Sequence, residues 1–411
     1  MHFLYNLGIQ LLRAAMLLVS FFHPKAKLWV QGRKNWRERL GNALRHTDGK
    51  KTLWMHVSSL GEFEQGRPIM EQFRAEFPSW RIVLTFFSPS GYEIRKNYTD
   101  ADVVFYLPAD TPRNARDFLS ILQPDVAIFV KYDFWANYLF SLPPTPTLLV
   151  SGLFRPEQPF FKWYGGLWRK MLVCFTHIFV QNQASATLLR QIGMQQFEVA
   201  GDTRIDRVLR IAADVKPNPI VETFAGDAPV LVIGSSWEVD EALLFPVLQL
   251  TEFQRYKVIV APHEPSERNV ARICGQFERA IPYSKFDRSA ATSAQVLVID
   301  NIGLLNTLYR YGSIAYIGGG LGKGIHNTLE PAAFGLPILF GPKYEKFEEA
   351  RQFVASGAAF PVHDTESLKA ILRQLQKPAF HEAASKAALG YLAENKGATG
   401  KAIEWLQAHI H

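Results

Sequence analysis

From Leu53 onward, short apolar runs alternate with amphipathic stretches. LWMHV (53–57), RIVLTF (81–86), DVVFYL (102–107), DVAIFV (125–130), TLLV (147–150) and HIFV (177–180) are rich in β-branched and aromatic residues and are nearly continuous in apolar character. That is the pattern of strands buried on both faces. Between them, EQGRPIMEQFRAEF and RNARDFLSILQ space their apolar residues as helices do. A segment rich in Pro, Asp and Gly follows, and the pattern then restarts with VLVIG (230–234), KVIVA (257–261), VLVID (296–300), IAYIGGG (314–320) and PILFG (337–341). The order predicts an α/β chain with two doubly wound, Rossmann-like domains, the first over residues 25–206 and the second over 229–411, joined by a linker at 207–228. Such domains take ligands at the carboxyl ends of their strands, and the expectation is a cleft between the two.

Ahead of the first domain, residues 1–24 form a separate element. FLYNLGIQLLRAAMLLVSFF (3–22) is apolar for about the length of a spanning helix, but Asn6, Gln10 and Arg13 interrupt it. Their spacing of three to four residues lays one polar stripe along an otherwise apolar helix. That suits a helix lying in a membrane interface or a short tilted anchor; the alternative is a buried N-terminal helix of a soluble domain. No small-residue cleavage site follows, so the segment does not read as a secretory signal. Lys25, Lys27, Arg33, Lys34, Arg37, Arg39 and Arg45 come next, a basic flank suited to an anionic membrane surface.

The 411 residues, 48% hydrophobic, are enough for two cores. The net charge of +7 and pI near 9.2 fit an anionic surface or an acidic substrate. No basic-aromatic or zinc-finger spacing points to nucleic acid. The only cysteines, Cys174 and Cys274, lack the spacing of a metal or redox pair.

Candidate chemistry gathers at strand ends. In VIGSSWEVDE, Ser235 and Ser236 follow a strand and precede a helix; they are either a simple N-cap or part of a phosphate site. IGGGLGKGIHNTLEPAAFG carries glycines at 318, 319, 320, 322 and 324, then His326 and Asn327 at a helix entrance, with Glu330 one turn in. A flexible glycine loop, a helix dipole and a carboxylate able to hold ribose hydroxyls read as a nucleotide pocket. Lys323 is followed by Gly324, so this is not a Walker loop, and a sugar nucleotide fits better than ATP or NAD. In HVSSLGEFEQGRP (56–68), Glu62 is either a first-turn carboxylate favoured by the helix dipole or a proton acceptor, whereas Glu64 reads as an ordinary surface charge.

These words, in this order, resemble the Kdo (3-deoxy-D-manno-octulosonic acid) transferases of lipopolysaccharide assembly, which are glycosyltransferases of the GT-B fold. WMHVSSLGE (54–62), TFFSPSGYE (85–93), KYDFWANYL (131–139), FVQNQASATLLRQIG (179–193), VAGDTRID (199–206), IDNIGLLNTLYRYGSIAYIGGGL (299–321) and HNTLEPAAFGLPILFGP (326–342) carry the resemblance. It implies an enzyme on the cytoplasmic face of the inner membrane, moving Kdo from CMP-Kdo to a lipid A precursor (lipid IVA) with inversion and without metal or cofactor. It places the general base at Glu62 and donor contacts at Ser235, Ser236, His263, Gly319, Gly320, His326, Asn327 and Glu330. It adds Ser58, Ser59, Gly61, Asp133, Arg155 and Arg204 as further substrate contacts. Another GT-B transferase or an epimerase using a UDP-sugar is the alternative, and a non-catalytic membrane module a third.

The chain departs from the family pattern in places. In APHEPSER (261–268), His263 stands at a usual Arg and Glu264 at a usual His; Lys131 replaces an acidic residue, with Asp133 kept at the second acidic position. SGLFRPEQ (151–158) replaces a usual Arg-bearing segment, where Arg155 is expected to serve, and Arg204 stands at a usual Lys, which keeps the charge but changes its geometry.

Overall fold

The computed structural model describes residues 1–45, 49–287 and 294–410. It divides into two compact units, Met1–Asp206 with Asn395–His411, and Arg207–Glu394. Each is a seven-stranded parallel sheet with helices on its faces.

In the first unit the strands are β1 (Thr52–Val57), β2 (Arg81–Phe86), β3 (Val103–Tyr106), β4 (Val126–Val130), β5 (Thr147–Gly152), β6 (His177–Val180) and β7 (Phe197–Val199), in the order β3-β2-β1-β4-β5-β6-β7. Every residue of β1 is buried, because alternate side chains serve opposite faces. Trp54 joins one core with Phe118 and Phe129, while Leu53, Met55 and Val57 join another with Phe63, Ile69 and Phe73. The second unit holds β8 (Val230–Ser236), β9 (Lys257–Pro262), β10 (Ala280–Pro282), β11 (Val296–Val298), β12 (Ile314–Ile317), β13 (Ile338–Phe340) and β14 (Ala359–Pro361), in the order β10-β11-β9-β8-β12-β13-β14.

The strand order fixes where each sheet can bind. It reverses at β1/β4 in the first unit and at β8/β12 in the second, and at such a point the flanking loops turn to opposite faces and leave a crevice. Three left-handed residues stand at strand ends close to these points: Lys131 (φ 63°) after β4, Ser151 (φ 53°) at the end of β5 and Ser235 (φ 54°) at the end of β8. For residues other than glycine that conformation costs energy and needs support from its surroundings.

Two boundaries differ from the sequence expectation. Residues 207–228 are not an irregular linker: helices Thr203–Asp214 and Pro219–Ala225 run through them, and the second unit begins at Arg207. Nor does the second domain extend from 229 to 411, because helix Ala398–His409 packs on the first unit. Its Ala398, Ala402, Ile403 and Leu406 enter the core that holds Phe73 and Trp80. Asp206 fastens its start, accepting hydrogen bonds from the Gly397 and Thr399 amides at 2.5 and 2.7 Å. Gly201 is required there: with φ at 97°, a Cβ would lie 2.6 Å from the Asn395 carbonyl oxygen.

Candidate functional site

On the first unit, β1 ends at Val57 and the chain turns through Ser58 and Ser59 into helix Leu60–Glu76. Ser59 is extended at the N-cap (φ −139°, ψ 179°), and its hydroxyl donates to Glu62 Oε2. The Ser58 hydroxyl donates to Asp133 Oδ1, from the loop after β4. The two loops at the β1/β4 reversal thus bring two carboxylates together. Glu62 is half-buried, whereas the Asp133 side chain is 2% exposed and its Oδ2 has no partner among the described residues. Burial, reinforced by the charge of Glu62, holds the Asp133 carboxyl well above the usual range.

His56, buried beneath this pair, does not neutralise it. The Trp135 indole donates to His56 Nε2 at 2.9 Å, so that nitrogen carries no proton, and Nδ1 faces Thr85 Oγ1 at 2.9 Å. Burial lowers the imidazole to about 3, and it stands 3.9 Å from Asp133 Oδ1 as a neutral ring. Tyr132 lies in the fields of Arg155 and Glu62, with burial raising its hydroxyl. Arg204 is engaged elsewhere. Its Nη2 lies 2.6 Å from Asp202 Oδ2 and its Nε donates to both oxygens, so that Asp202, which burial alone would raise, is held below the usual range. Gln65, one turn after Glu62, donates to the same carboxylate at 3.2 Å. Gly61 is exposed, and a Cβ there would meet only Ser59 Oγ at 3.7 Å, so its place does not demand glycine. Glu64 pairs with Arg95 at 2.9 Å.

On the second unit, the ends of β8 and β12 meet at the other reversal point. Gly318 lies against the Ser235 carbonyl, and a Cβ would overlap that backbone. Asp240, in the first turn of helix Glu238–Leu248, organises the loops: it accepts from the Trp237 amide at 3.0 Å, the Gly319 amide at 2.9 Å and the Tyr316 hydroxyl at 2.9 Å. The Gly319 N–H is therefore occupied. The Ser236 hydroxyl donates to Glu241 at 2.8 Å, and Glu241 pairs with Arg272 at 2.6 Å, so this hydroxyl is turned inward. Ser235 is half-buried in its left-handed conformation.

Three rings stack beside them. Trp237 and His263 have centroids 4.3 Å apart, and His263 and His326 4.6 Å. The Trp237 indole donates to His326 Nε2 at 3.2 Å, and burial, with His263 beside it, lowers the His326 imidazole. Asn327 caps the turn through Leu329 N at 3.1 Å and donates to Glu330 Oε1 at 3.0 Å. The Glu330 charge reaches the buried Tyr309 hydroxyl, raised mainly by burial and then by that carboxylate. Gly320 packs on Gly341. Sequence reading missed His56, Trp237, Asp240 and Tyr309. Only Asp240 had a local signal, three residues after the helix-capping position.

The N-terminal helix His2–Val19 presents its faces in reverse of a soluble helix. Tyr5 donates to Asp110 at 2.5 Å, and Asn137 donates to Asn6 at 2.8 Å. Leu4, Leu11 and Leu18 are 60%, 62% and 67% exposed, and Ile9 is its only buried residue. The expected polar stripe is thus split: Asn6 faces the protein, while exposed Gln10 holds Arg13 at 2.8 Å. The helix is long and apolar enough to cross a membrane.

Residues 34–207 match the family model described as 3-deoxy-D-manno-octulosonic-acid transferase (kdotransferase). The 3-deoxy-D-manno-octulosonic acid transferase of Aquifex aeolicus (strain VF5) is 27% identical over 332 residues, 79% of this chain and 86% of the relative. Among solved structures, UDP-GlcNAc 2-epimerase from Neisseria meningitidis, bound to UDP-GlcNAc, superposes with a TM-score of 0.61 at 16% identity, covering 87% of this chain and all of that one. The calicheamicin glycosyltransferase CalG4 does so with a TM-score of 0.53 at 13% identity, covering 88% and 98%. At those identities the likeness is one of fold. Over most of its length, then, this chain is similar to the 3-deoxy-D-manno-octulosonic acid transferases, and it is built as two parallel-sheet α/β domains of the GT-B kind.

Proposed function

We propose that the protein transfers Kdo from CMP-Kdo to a lipid A precursor of the lipid IVA class, with inversion at the anomeric carbon and without metal. The observation that carries this reading is Glu62, a half-buried carboxylate at the β1/β4 reversal, inside the segment that matches the Kdo transferase model. In the reaction, the acceptor hydroxyl oxygen forms a bond to the anomeric carbon of Kdo. Glu62 takes the proton from that oxygen as the bond forms. The bond from the anomeric carbon to the phosphate oxygen breaks, and its electron pair leaves with CMP. The Ser59 hydroxyl orients Glu62, and the Ser58–Asp133 pair shapes the wall beside it.

The donor is assigned to the second unit, where the Gly318–Gly320 turn, Asn327 and Glu330 surround the end of β12. Glu330 is the candidate for the ribose hydroxyls. The stacked Trp237, His263 and His326 offer an aromatic and polar wall in place of the usual arginine. The outward apolar residues of the N-terminal helix and the basic flank behind it support a location on the anionic, cytoplasmic face of the inner membrane.

The test supplies purified protein with a lipid acceptor and either CMP-Kdo or a UDP-sugar, following nucleotide release and product mass. CMP release with a product heavier by Kdo units is expected from CMP-Kdo alone. Turnover of a UDP-sugar with none of CMP-Kdo would replace this reading with the alternative.

A further inference from the structure

A cavity of about 540 Å³ opens on the first unit where the N-terminal helix meets the loop after β3. Arg13, Arg33 and Arg37 line it with Leu17, Trp29 and Glu38. Arg37 is paired with Asp117 at 2.6 Å. Arg33 has no such partner among the described residues: its hydrogen bonds go to the carbonyls of Leu107, Trp29 and Phe87, at 2.8, 3.0 and 2.7 Å. The Trp29, Phe87 and Tyr106 rings surround its guanidinium, with centroids 4.0, 5.1 and 4.9 Å away. Burial pushes it down to about 9, still cationic at neutral pH. Among the described residues, Arg13 bonds only to the side-chain amide of Gln10. A half-buried cation without a counter-charge among the described residues is costly, and an incoming anion removes that cost.

We infer that this cavity holds the phosphate of an anionic bilayer lipid, gripped by Arg13, Arg33 and Arg37, with the lipid's chains running along the apolar face at Leu17. Two observations select a lipid over a free anion. Half the lining is apolar in kind, and the mouth adjoins a helix whose exposed leucines need an apolar environment. Arginine suits the task because its planar fork matches phosphate oxygens in pairs, where lysine offers a point charge. The inference rests on the proposed membrane placement of this helix, and it does not depend on the reaction catalysed.

The experiment measures binding of the full chain to vesicles of phosphatidylcholine, with and without phosphatidylglycerol. It compares wild type with Arg13→Lys/Arg37→Lys, which conserves charge, and with Lys25→Arg/Lys27→Arg on the exposed flank. Arg33 is left in place because it also ties three backbone carbonyls. The wild type and the flank variant are expected to prefer phosphatidylglycerol vesicles. The cavity variant is expected to lose about fivefold in affinity for them, the worth of one hydrogen bond that lysine cannot replace, with unchanged binding to phosphatidylcholine. If the cavity variant keeps the wild-type preference, attraction is diffuse and the site is refuted. Equal wild-type binding to both vesicles refutes the site but leaves the membrane helix standing. No binding to either refutes both.

Discussion

Two carboxylates meet at the end of β1, and their surroundings divide their tasks. Glu62 keeps contact with solvent and receives one hydroxyl, whereas Asp133 is sealed in with one oxygen unpartnered among the described residues. Replacing Glu62 by Gln preserves shape and hydrogen bonding but removes the proton acceptor. Kdo transfer is expected to fall by at least about a hundredfold, the usual weight of a general base, with unchanged circular dichroism and CMP affinity. Turnover within a few-fold of wild type would remove Glu62 from the mechanism. Asp133 makes a prediction about pH. Its folded carboxyl is raised above 3.8, so the fold binds a proton that the unfolded chain has released. Its contribution to stability is complete below about 4 and is lost as pH rises toward the folded value. Asp133→Asn is therefore expected to gain stability relative to wild type between pH 5 and 8, by at most about 1.4 kcal/mol per pH unit, read from urea midpoints. His56 acts in the opposite sense: lowered to about 3, it is neutral when folded, and its stability is lost as pH falls from about 6.5.

At the scale of elements, the eleven apolar runs all became strands, because a continuous apolar run of four to six residues is legible without context. The strands left unseen, Phe197–Val199, Ala280–Pro282 and Ala359–Pro361, all lie at sheet edges. Edge strands need one pairing partner only, so they can be short, half-exposed and closed by proline. The candidate residues Gly319 and Asn327 were readable from the glycine-rich turn and helix entrance they belong to, whereas Ser58 and the role of Glu62 came from the family resemblance. His56 was not readable, because its partners come from other strands and loops, and the capping position of Asp240 gave no sign of its bonds to Gly319 and Tyr316. The last helix is the plainest case of tertiary decision. Its Leu406 is fully buried in the core of the first unit, though it follows the second in sequence. Leu406→Ala is expected to cost about 2–5 kcal/mol, measured by chemical denaturation. If that loss appears in the transition of the second unit rather than the first, the assignment of this helix is wrong.

At the scale of the molecule, the N-terminal helix is set with hydrogen-bonding groups inward and apolar groups outward. Leu11→Glu/Leu18→Glu alters two exposed side chains and should leave the melting temperature within about 2 °C of wild type, as surface substitutions do. The same change is expected to move the protein from the membrane fraction to the soluble fraction. A large fall in melting temperature with unchanged membrane partition would mean that the face packs on protein.

The amino-acid sequence by itself determined the two runs of buried parallel strands, the apolar helix with its basic flank and the glycine-rich turn, since each follows from local periodicity and composition. It also carried words similar to those of the Kdo transferases. Only the tertiary structure decided which groups are free to act. Folding turned the Ser236 hydroxyl toward Glu241, tied Arg204 to Asp202 and left one Asp133 oxygen without a partner among the described residues. It also brought helix 398–409 back to the first unit. Hydrogen bonds and burial depend on residues far apart in the chain, and no local pattern encodes them.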